Sequence, residues 1–374
     1  MLKKLTILFA IFFLCGCLFS SKITIKGKGN IKLEQVDFSD LKNWELDDHQ
    51  QAMQAFLHSC KKFAKMAQTR PIGGQMGDVT AEDFRDVCDI AEVVKTMNRR
   101  QAKNFFENWF KPFLVKGRYG NSTGVFTGYY EASLRGSKVK TDVFKYPIYA
   151  KPDDLNSDPY LSRKEIEAGA LGGKGLELLY VDDKVDLFFM HIQGSGRVTL
   201  PNGSEVRVAY AARNNHPYIS IGNSMVEAGV LEAKNLNAAT VREWLKQNFD
   251  RADEFTNINN AYIFFKISDN DTVVGGQGVP LTPERSLAID TDIIPYGIPL
   301  FVDTELKQKN GTKHEYQRLF IAQDTGSAIK GTVRGDIFFG HGDTSEELAS
   351  YMASRGQYYA LLPINLVDKM TGKF

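Results

Sequence analysis

The spacing of apolar residues divides the chain into a helical part and a longer part with a strand pattern. From Asp48 to Phe113, apolar residues recur every three or four positions, the spacing of one buried helix face. From Gly124 onward, short apolar runs alternate with turns that contain Gly or Pro, which is typical of β-strands. The runs that predict strands are Val125–Tyr130, Val185–Ile192, Val206–Tyr210, Tyr262–Ile267, Arg285–Ile289, Ile298–Val302 and Tyr358–Leu362.

Two stretches within the second part are expected to be helices. They cover Ala238–Phe249 and Ser345–Arg355. The second has Thr344 and Glu347 at the spacing of a capping box, and Gly356 where a helix commonly ends. Few other helices are expected in this part of the chain.

The N-terminus has the pattern of a secretion signal. The apolar run Leu5–Leu14 follows two lysines and is about ten residues long, half of what a membrane-spanning helix needs. It fits a signal peptide over residues 1–16. The Leu-Cys-Gly-Cys sequence that closes the run resembles a bacterial lipobox, in which the last cysteine, Cys17 here, becomes the acylated first residue. In lipoproteins that this sequence resembles, an Asp after the acylated cysteine favours retention in the inner membrane, so Leu18 favours the periplasmic face of the outer membrane. A plain signal peptide is the alternative.

Composition narrows the partners that the chain can bind. Removing residues 1–16, which include two lysines, lowers the formal charge from +1 to −1, so nothing points to a nucleic-acid partner. The six histidines show no close pairing, and Gly172–Gly175 has no phosphate-loop or dinucleotide pattern, so we expect neither a metal nor a cofactor. Residues 17–45 are polar and are expected to tether the anchor to a body of about two domains. The polar run Asp250–Asn260 is the best internal boundary.

Two further cysteines lie on the apolar faces of predicted helices. Cys60 shares a face with Phe56 and Phe63, and Cys88 shares one with Phe84. In an oxidising periplasm such a pair can form a disulfide between two helices. Two buried free thiols are the alternative, because Cys is also a common core residue.

Two carboxylates in the Gly-rich stretch Ile321–Gly342 are candidates for acid chemistry. Asp324 follows the apolar run Leu319–Gln323, and Asp336 precedes Ile337–Phe339. A carboxyl group at the edge of a buried strand is poorly hydrated, which raises its pKa and lets it hold a proton near neutral pH, as a general acid must. The alternative is that both aspartates are turn residues, because Asp-Thr-Gly at Asp324 and Arg-Gly-Asp at Asp336 are ordinary turn sequences. Without other information, this alternative is favoured.

A strand that carries two tyrosines is a candidate for sugar binding. In the sequence Thr127-Gly128-Tyr129-Tyr130-Glu131, alternate side chains would place an aromatic ring beside a hydroxyl group on one surface. Aromatic faces with nearby polar groups suit sugar rings. Two tyrosines in the wall of a barrel are the alternative.

Two more polar clusters could line a cleft. The first surrounds Gln193 and Ser195 and is equally consistent with a hairpin turn. The second runs from Arg285 through Ser286 to Asp290, and in it Arg285 and Asp290 could either pair with each other or bind a ligand.

Several of these motifs occur together in one protein family. They are TGYYE at Thr127–Glu131, GSK at Gly136–Lys138, HIQGSG at His191–Gly196, RSLAID at Arg285–Asp290, IPYG at Ile294–Gly297, and QDTGSAIKG followed by RGDIFFG up to Gly340. In this set of motifs the chain resembles the membrane-bound lytic murein transglycosylase A family, from about Cys60 to Pro363.

The resemblance implies a mainly β protein with an N-terminal helical segment. Residues 46–125 and 260–374 would form a double-psi β-barrel domain, and residues 126–259 an inserted second β-barrel domain. Peptidoglycan glycan strands would bind in a groove between the two domains. The resemblance assigns the general acid to Asp336. The residues expected to bind substrate are Thr127, Tyr129, Tyr130, Gln193, Ser195, Ser286, Asp290 and Asp324.

The reaction of the family is non-hydrolytic cleavage of the β-1,4 bond between N-acetylmuramic acid and N-acetylglucosamine. One carboxylate, acting first as acid and then as base, suffices for this reaction, so Asp324 would hold the turn before the catalytic strand and assist the groove electrostatically. Two alternatives stay open. A hydrolase would need Asp324 or Asp290 across the groove from Asp336, and a peptidoglycan-binding lipoprotein would have no activity. We expect a monomer that is attached to the membrane through its lipid.

Overall fold

The computed structural model describes residues 22–29, 31–93, 96, 98–156 and 158–373. The predicted signal peptide and the predicted lipidation site, Cys17, lie outside these residues. The strands are β1 (Thr24–Lys26), β2 (Ile31–Gln35), β3 (Phe110–Gly117), β4 (Gly124–Ser137), β5 (Tyr146–Tyr149), β6 (Glu177–Val181), β7 (Ser195–Thr199), β8 (Glu205–Arg213), β9 (Ile263–Ile267), β10 (Ser286–Ala288), β11 (Pro299–Lys307), β12 (Lys313–Asp324), β13 (Arg334–His341) and β14 (Ala353–Pro363). The helices are α1 (His49–Phe63), α2 (Arg85–Val93), α3 (Arg99–Trp109), α4 (Arg163–Glu165), α5 (Lys184–Gln193), α6 (Ile221–Glu227), α7 (Ala238–Gln247), α8 (Ala252–Thr256), α9 (Asp343–Tyr351) and α10 (Ile364–Thr371).

Six of these strands form a closed ring. Their order is β11, β12, β10, β13, β4 and β14, and β14 pairs with both β11 and β4, which closes the ring. The pairs β10–β12 and β13–β4 are parallel, and the other pairs are antiparallel. The ring encloses apolar side chains, among them Leu287, Ile321 and Ile337, that are fully buried. Closure leaves these strands without a free edge.

The second half of β4 belongs to another ring. There β4 pairs with β7, β7 with β8, and β8 with β9. On its other side β4 pairs with β6, β6 pairs with β5, and Ala150, directly after β5, bridges to Phe265 in β9. The 14-residue strand β4 therefore runs from one barrel into the other.

The N-terminal segment packs around the first ring. The helices α1 to α3 bury a cluster of aromatic rings, with Phe56, Phe106 and Phe110 in mutual contact. A disulfide joins Cys60 of α1 to Cys88 of α2, with Cα atoms 5.2 Å apart. The helical pattern predicted to reach Phe113 ends earlier, because Phe110 begins β3. Among the described residues no helix is long and apolar enough to cross a membrane.

Part of the predicted tether belongs to the folded body. Strand β2 pairs with β3, and β1 pairs with β2, so both extend the sheet at β14. Leu33 is fully buried in this extension. The prediction of a tether over residues 17–45 is therefore wrong for residues 24–26 and 31–35. The stretch has a polar composition because Lys32 and Glu34 alternate with the buried residues Ile31 and Leu33.

The run Val185–Ile192, predicted to be a strand, is helix α5 instead. The Asp183 side chain caps the helix by accepting hydrogen bonds from the Val185 and Asp186 amides, and Gly194 ends it with a left-handed backbone, φ 83°. The helix is buried on nearly every side, from Val185 to His191. A helix that is apolar all round has no amphipathic period, so periodicity cannot separate it from a buried strand.

The expectation of few helices after Gly124 is also wrong. Helices α5 to α8 bury a separate apolar cluster, in which Phe188, Met225 and Leu245 are buried. The predicted helix Ala238–Phe249 is present as α7. The predicted helix Ser345–Arg355 is displaced toward the N-terminus, to Asp343–Tyr351, with Gly342 and not Thr344 at its cap.

Candidate functional site

The two aspartates of the Gly-rich stretch lie in one row across the first ring. Ala288 in β10 pairs with Asp324 of β12 on one side and with Asp336 of β13 on the other. Thr127 of β4 pairs with Asp336 from the next strand. Because neighbouring strands are about 4.8 Å apart, the Cα atoms of the two aspartates are separated by about 10 Å. The barrel thus brings together residues that are more than 200 positions apart in sequence.

Asp336 is a partly buried carboxyl group with one hydrogen-bond donor. The Thr127 hydroxyl donates to its Oδ1 atom, and Arg334 Nη2 donates to Thr127 Oγ1 at 2.8 Å. Burial raises the pKa of Asp336, while the charge of Arg334 and the Thr127 hydrogen bond oppose that rise. Oδ2 accepts no hydrogen bond from the described residues. This group can hold a proton and present it to a ligand.

Asp324 is also partly buried, but both of its carboxylate oxygens accept hydrogen bonds from the protein. Tyr129 Oη donates to Oδ2 at 2.6 Å, and the amides of Gly276 and Thr325 donate to Oδ1 at 2.8 and 2.9 Å. Burial raises the pKa of Asp324, the three hydrogen bonds lower it, and the charge of Asp336 adds to the rise. Three donors fix this carboxyl group in place, which suits a positioning role.

Strand β4 presents alternate residues to two faces. Thr127 and Tyr129 point toward the aspartates. Gly128 faces α9, where a Cβ atom would lie 2.8 Å from the Ala349 Cα. Tyr130, predicted to bind substrate, shares the face of Gly128; it is buried, and its hydroxyl accepts a hydrogen bond from Arg242. Only Thr127 and Tyr129 of the tyrosine motif therefore reach the site.

The HIQGSG motif lies beside β4, the crossing strand that runs from the first ring into the second. The Gln193 side chain, at the end of α5, accepts a hydrogen bond from the Tyr130 amide at 3.0 Å. Ser195 begins β7 and is buried. Glu131, buried in β4, accepts hydrogen bonds from Arg197, at 2.7 Å, and Arg207. These contacts hold β4 where it enters the second ring.

The RSLAID motif is largely architectural. Ser286, predicted to bind substrate, is fully buried, accepts a hydrogen bond from the Thr282 amide and donates to Gln323 Oε1 at 2.7 Å. Its hydroxyl is therefore used inside the protein. The suggested pairing of Arg285 with Asp290 is wrong, because Arg285 pairs with Asp47 at 2.8 Å inside the core.

Asp290 supports the loop that precedes β13. Its carboxylate accepts hydrogen bonds from the Gly331 amide at 2.9 Å and from Lys330 Nζ at 3.1 Å. The carboxylate is buried while Lys330 remains largely exposed. Asp290 therefore orders the approach to Asp336 and does not face a ligand from across a groove.

Sequence reasoning missed three residues near the aspartates. Arg334 sits two positions before Asp336. Tyr296 lies near Asp324: burial, and then the charge of Asp324, raise the pKa of Tyr296 to about 12. Tyr218 comes from the loop between β8 and α6, and its pKa is raised by burial and then by the charge of Asp336. Tyr218 thus places the segment that follows β8 of the second ring close to Asp336. Its neighbours in sequence form no pattern that would reveal this.

The site offers proton chemistry from a single carboxyl group. In the described part of the chain no three His, Cys, Asp or Glu side chains lie together as a metal site would need. Tyr129 stays protonated, since burial and then Asp324 raise its pKa well above the usual value. The arrangement is one protonatable acid with fixed hydrogen-bonding groups around it.

Comparison with known families identifies both parts of this architecture. The family model described as "MltA specific insert domain" matches residues 125–266, which contain the second ring, and the model described as "3D domain" matches residues 285–362, which contain both aspartates. The fold and the site thus define a 3D-domain protein with an MltA-type insert.

Relatives matched over most of the chain agree with this class. The chain is 35% identical over 243 residues to the membrane-bound lytic murein transglycosylase A of Vibrio cholerae, an alignment that covers 63% of this chain and 65%, just under two thirds, of that relative. It is 32% identical over 279 residues to the Buchnera aphidicola homolog, covering 72% of this chain and 75% of that protein. The chain belongs to the membrane-bound lytic murein transglycosylase A family.

Solved structures share the fold. A membrane-bound lytic murein transglycosylase from Agrobacterium tumefaciens has a TM-score of 0.78 at 32% identity, over 90% of this chain and 99% of that one. MltA from Neisseria gonorrhoeae has a TM-score of 0.73 at 33% identity, over 91% and 96% of the two chains. The Escherichia coli protein with bound chitohexaose has a TM-score of 0.70 at 24% identity, over 92% and 93%, which shows the fold alone. The chain therefore has an MltA-like fold of mainly sheet with several helices.

Proposed function

We propose that this protein is a peptidoglycan lytic transglycosylase. It would cleave the β-1,4 bond between N-acetylmuramic acid and N-acetylglucosamine and leave a 1,6-anhydromuramic acid end. The observation that carries the proposal is the environment of Asp336. This is a partly buried carboxyl group with a raised pKa and a single donor, in the 3D domain of a chain from this family.

The chemistry needs only Asp336 and the substrate. The protonated carboxyl group donates its proton to the bridging oxygen as the glycosidic bond breaks. The resulting carboxylate then takes the proton of the muramic C6 hydroxyl while that oxygen bonds to the anomeric carbon. The acid is regenerated, and no water is consumed. Thr127, held by Arg334, keeps Asp336 oriented throughout.

The carboxylates of Asp324 and Asp290 already accept hydrogen bonds from the protein, which favours this mechanism over hydrolysis. A two-carboxylate hydrolase requires a second carboxylate that is free to activate water or attack the sugar. Asp324 is committed to three donors, and Asp290 is committed to Lys330 and Gly331. Neither group has the freedom that a second catalytic carboxylate needs.

The proposal includes the architecture expected of such an enzyme. The first ring, in residues 46–125 and 260–374, is taken as the double-psi β-barrel domain, and residues 126–259 as the inserted β domain. Glycan strands would lie in the groove where Tyr218 approaches Asp336, with Thr127, Tyr129 and Gln193 along it and Asp324 as support. The mature protein would be a monomer, lipidated at Cys17 and held at the periplasmic face of the outer membrane.

Asparagine variants of the two aspartates test the assignment. Asp336→Asn keeps the shape of the side chain but cannot donate an acid proton, so release of anhydro-muropeptides from sacculi should fall at least about 100-fold. The matched variant Asp324→Asn should lose much less, because its amide oxygen can still accept from the Gly276 and Thr325 amides while its NH2 group donates to Tyr129 Oη. Products are identified by mass spectrometry, and thermal unfolding confirms that both variants are folded.

Three results would contradict the proposal. Near-normal release by Asp336→Asn would remove the assigned acid. Products from the unmodified protein that are heavier by one water than the anhydro forms would identify a hydrolase. Sacculus binding without any soluble product would identify a binding lipoprotein.

A further inference from the structure

Arg242 joins the inserted part of the chain to the first barrel. It lies on α7, and its guanidinium donates to Asp186 of α5 at 2.7 and 3.1 Å and to the Tyr130 hydroxyl at 3.0 Å. It also pairs with Glu346 of α9. Asp186 belongs to the insert, Tyr130 to the crossing strand β4, and Glu346 to the helix after β13. One side chain therefore connects all three parts.

This contact lies behind β4, on the face away from the candidate site. Thr127 and Tyr129 point to the aspartates, whereas Tyr130 points to Arg242. Because side chains alternate along a strand, the Arg242 contacts and the site are on opposite faces of β4. Contacts behind β4 oppose a rotation of the insert that would close a groove in front of β4, where the aspartates lie.

Helix α9 transmits this contact to the strand that carries Asp336. The helix begins two residues after β13 ends, and Ser345 Oγ donates to the carbonyls of Phe339 and His341 at 2.8 and 3.0 Å. Its Ala349 packs directly on Gly128 of β4. Glu346 thus sits on an element that is fixed to both β13 and β4.

We propose that the Arg242–Glu346 ion pair is a latch that holds the insert away from full closure over Asp336. The two residues are positioning residues: they act on the angle between the barrels and touch no substrate. The consequence for glycan affinity rests on the function proposed above, whereas the consequence for the angle does not.

Glu346 is the better of the two residues to change. Arg242 keeps Asp186 and Tyr130 as partners when Glu346 loses its charge, so α7 stays anchored within the insert. Glu346→Gln removes the charge with almost no change of shape, and Glu346→Asp retains it. Glu347, the next residue of α9, is exposed, so Glu347→Gln is a matched control.

The first measurement is the distance between the two parts. Ketone-bearing residues at the exposed positions Lys234, in the insert, and Asn310, in the first barrel, accept spin labels without involving cysteine. Glu346→Gln should shift or broaden the distance distribution, and Glu346→Asp and Glu347→Gln should leave it near that of the parent. A distribution unchanged in Glu346→Gln overturns the latch, whatever the protein's activity.

The second measurement is affinity for chitohexaose in an Asp336→Asn background, where binding is separated from turnover. Releasing the latch removes a cost of closure, so Glu346→Gln should bind at least about fivefold more tightly, a modest coupling between two sites. In the active protein KM should fall in parallel, with little gain in kcat. Equal or weaker binding by Glu346→Gln overturns the latch. If the parent itself fails to bind, the proposed function fails, and the distance measurement alone decides the latch.

Discussion

At the scale of single residues, the number of hydrogen-bond donors distinguishes two similar aspartates. Burial raises the pKa of both Asp324 and Asp336. From the residues that the structure describes, Asp324 receives three hydrogen bonds and Asp336 receives one. A carboxyl group surrounded by donors is rigid and has no free oxygen for a substrate. The residue suited to acid catalysis is therefore the one with fewer contacts.

The Thr127 hydroxyl should tune the pH dependence of activity. Its hydrogen bond stabilises the carboxylate of Asp336 and lowers the pKa of that group, so Thr127→Val should raise the pKa further. A general acid is active while protonated and is lost as pH rises through its pKa. The alkaline limb of kcat/KM should thus move to higher pH in Thr127→Val, as measured in a pH–rate profile.

Thr127→Ser is the control for this experiment, because serine keeps the hydroxyl while removing the methyl group. Its alkaline limb should match that of the unmodified protein. Identical limbs for the Val and Ser variants would mean that Thr127 does not act on Asp336 through its hydroxyl.

The sequence could reveal only part of this site. Asp336, Thr127 and Tyr129 stand out through local motifs. Tyr218 and Arg242 do not, because their importance comes from contacts with residues about a hundred positions away along the chain. A motif can also suggest the wrong role. Ser286 lies in the RSLAID motif and was expected to bind substrate, but its hydroxyl donates a hydrogen bond to Gln323 in the core.

At the scale of secondary-structure elements, predictions failed where apolar pattern and burial did not match. Amphipathic α1 and α7 were predicted from their spacing. Helix α5 was not, since it is apolar on nearly every face, and only Asp183 and Gly194 at its ends mark it as a helix. Strands β1 and β2 were missed because they are short and each contains a lysine. The pairing of β2 with β3, and of β1 with β2, stabilises strands that the local sequence does not predict.

The disulfide between α1 and α2 should make a measurable contribution to stability. It closes a loop between residues 28 positions apart, which in the chain-entropy model is worth about 3.6 kcal/mol. The double variant Cys60→Ala, Cys88→Ala should lose that much free energy of unfolding in a denaturant titration.

Reduction of the unmodified protein provides the matched comparison. A reducing agent should destabilise the unmodified protein by a similar amount and leave the double variant unaffected. Sensitivity to reductant in the double variant would contradict this origin of the loss.

At the scale of the whole molecule, two buried histidines should make the fold sensitive to acid. His49 and His191 are buried against aromatic rings, and their ring nitrogens have no hydrogen-bond partner among the described residues. Burial lowers the pKa of His49 to about 4 and that of His191 well below its usual value. The unfolded chain binds protons on these residues more readily than the native state does.

Stability should therefore fall as the pH drops from about 6.5 toward 4. For His49 alone the loss should be roughly 3 kcal/mol in the free energy of unfolding across that range. His49→Phe, which preserves an aromatic ring beside Trp44, should flatten this dependence. The variant His314→Gln changes an exposed histidine and should leave the dependence as it is. The same slope in His49→Phe as in the unmodified protein would rule out this contribution.

The mainly β class could be anticipated from the sequence, because turn-punctuated strands leave a clear pattern. The approximate extent of the insert came from the family resemblance, and the family model matches residues 125–266. The closure of the rings could not. It depends on β14 pairing with β4 and on a single bridge at Ala150, which are properties of the assembled molecule.

The strand shared by both rings also constrains how the protein folds. Residues 124–131 of β4 pair with β13 and β14, and Thr127 meets Asp336 across 209 positions of chain. During synthesis and folding, this tyrosine-bearing part of β4 keeps unpaired edges until β13 and β14, near the end of the chain, have been made. Such long-range pairing slows folding and leaves a strand that other chains can bind. The stretch that builds the site is thus also the one that most needs protection before the fold is complete.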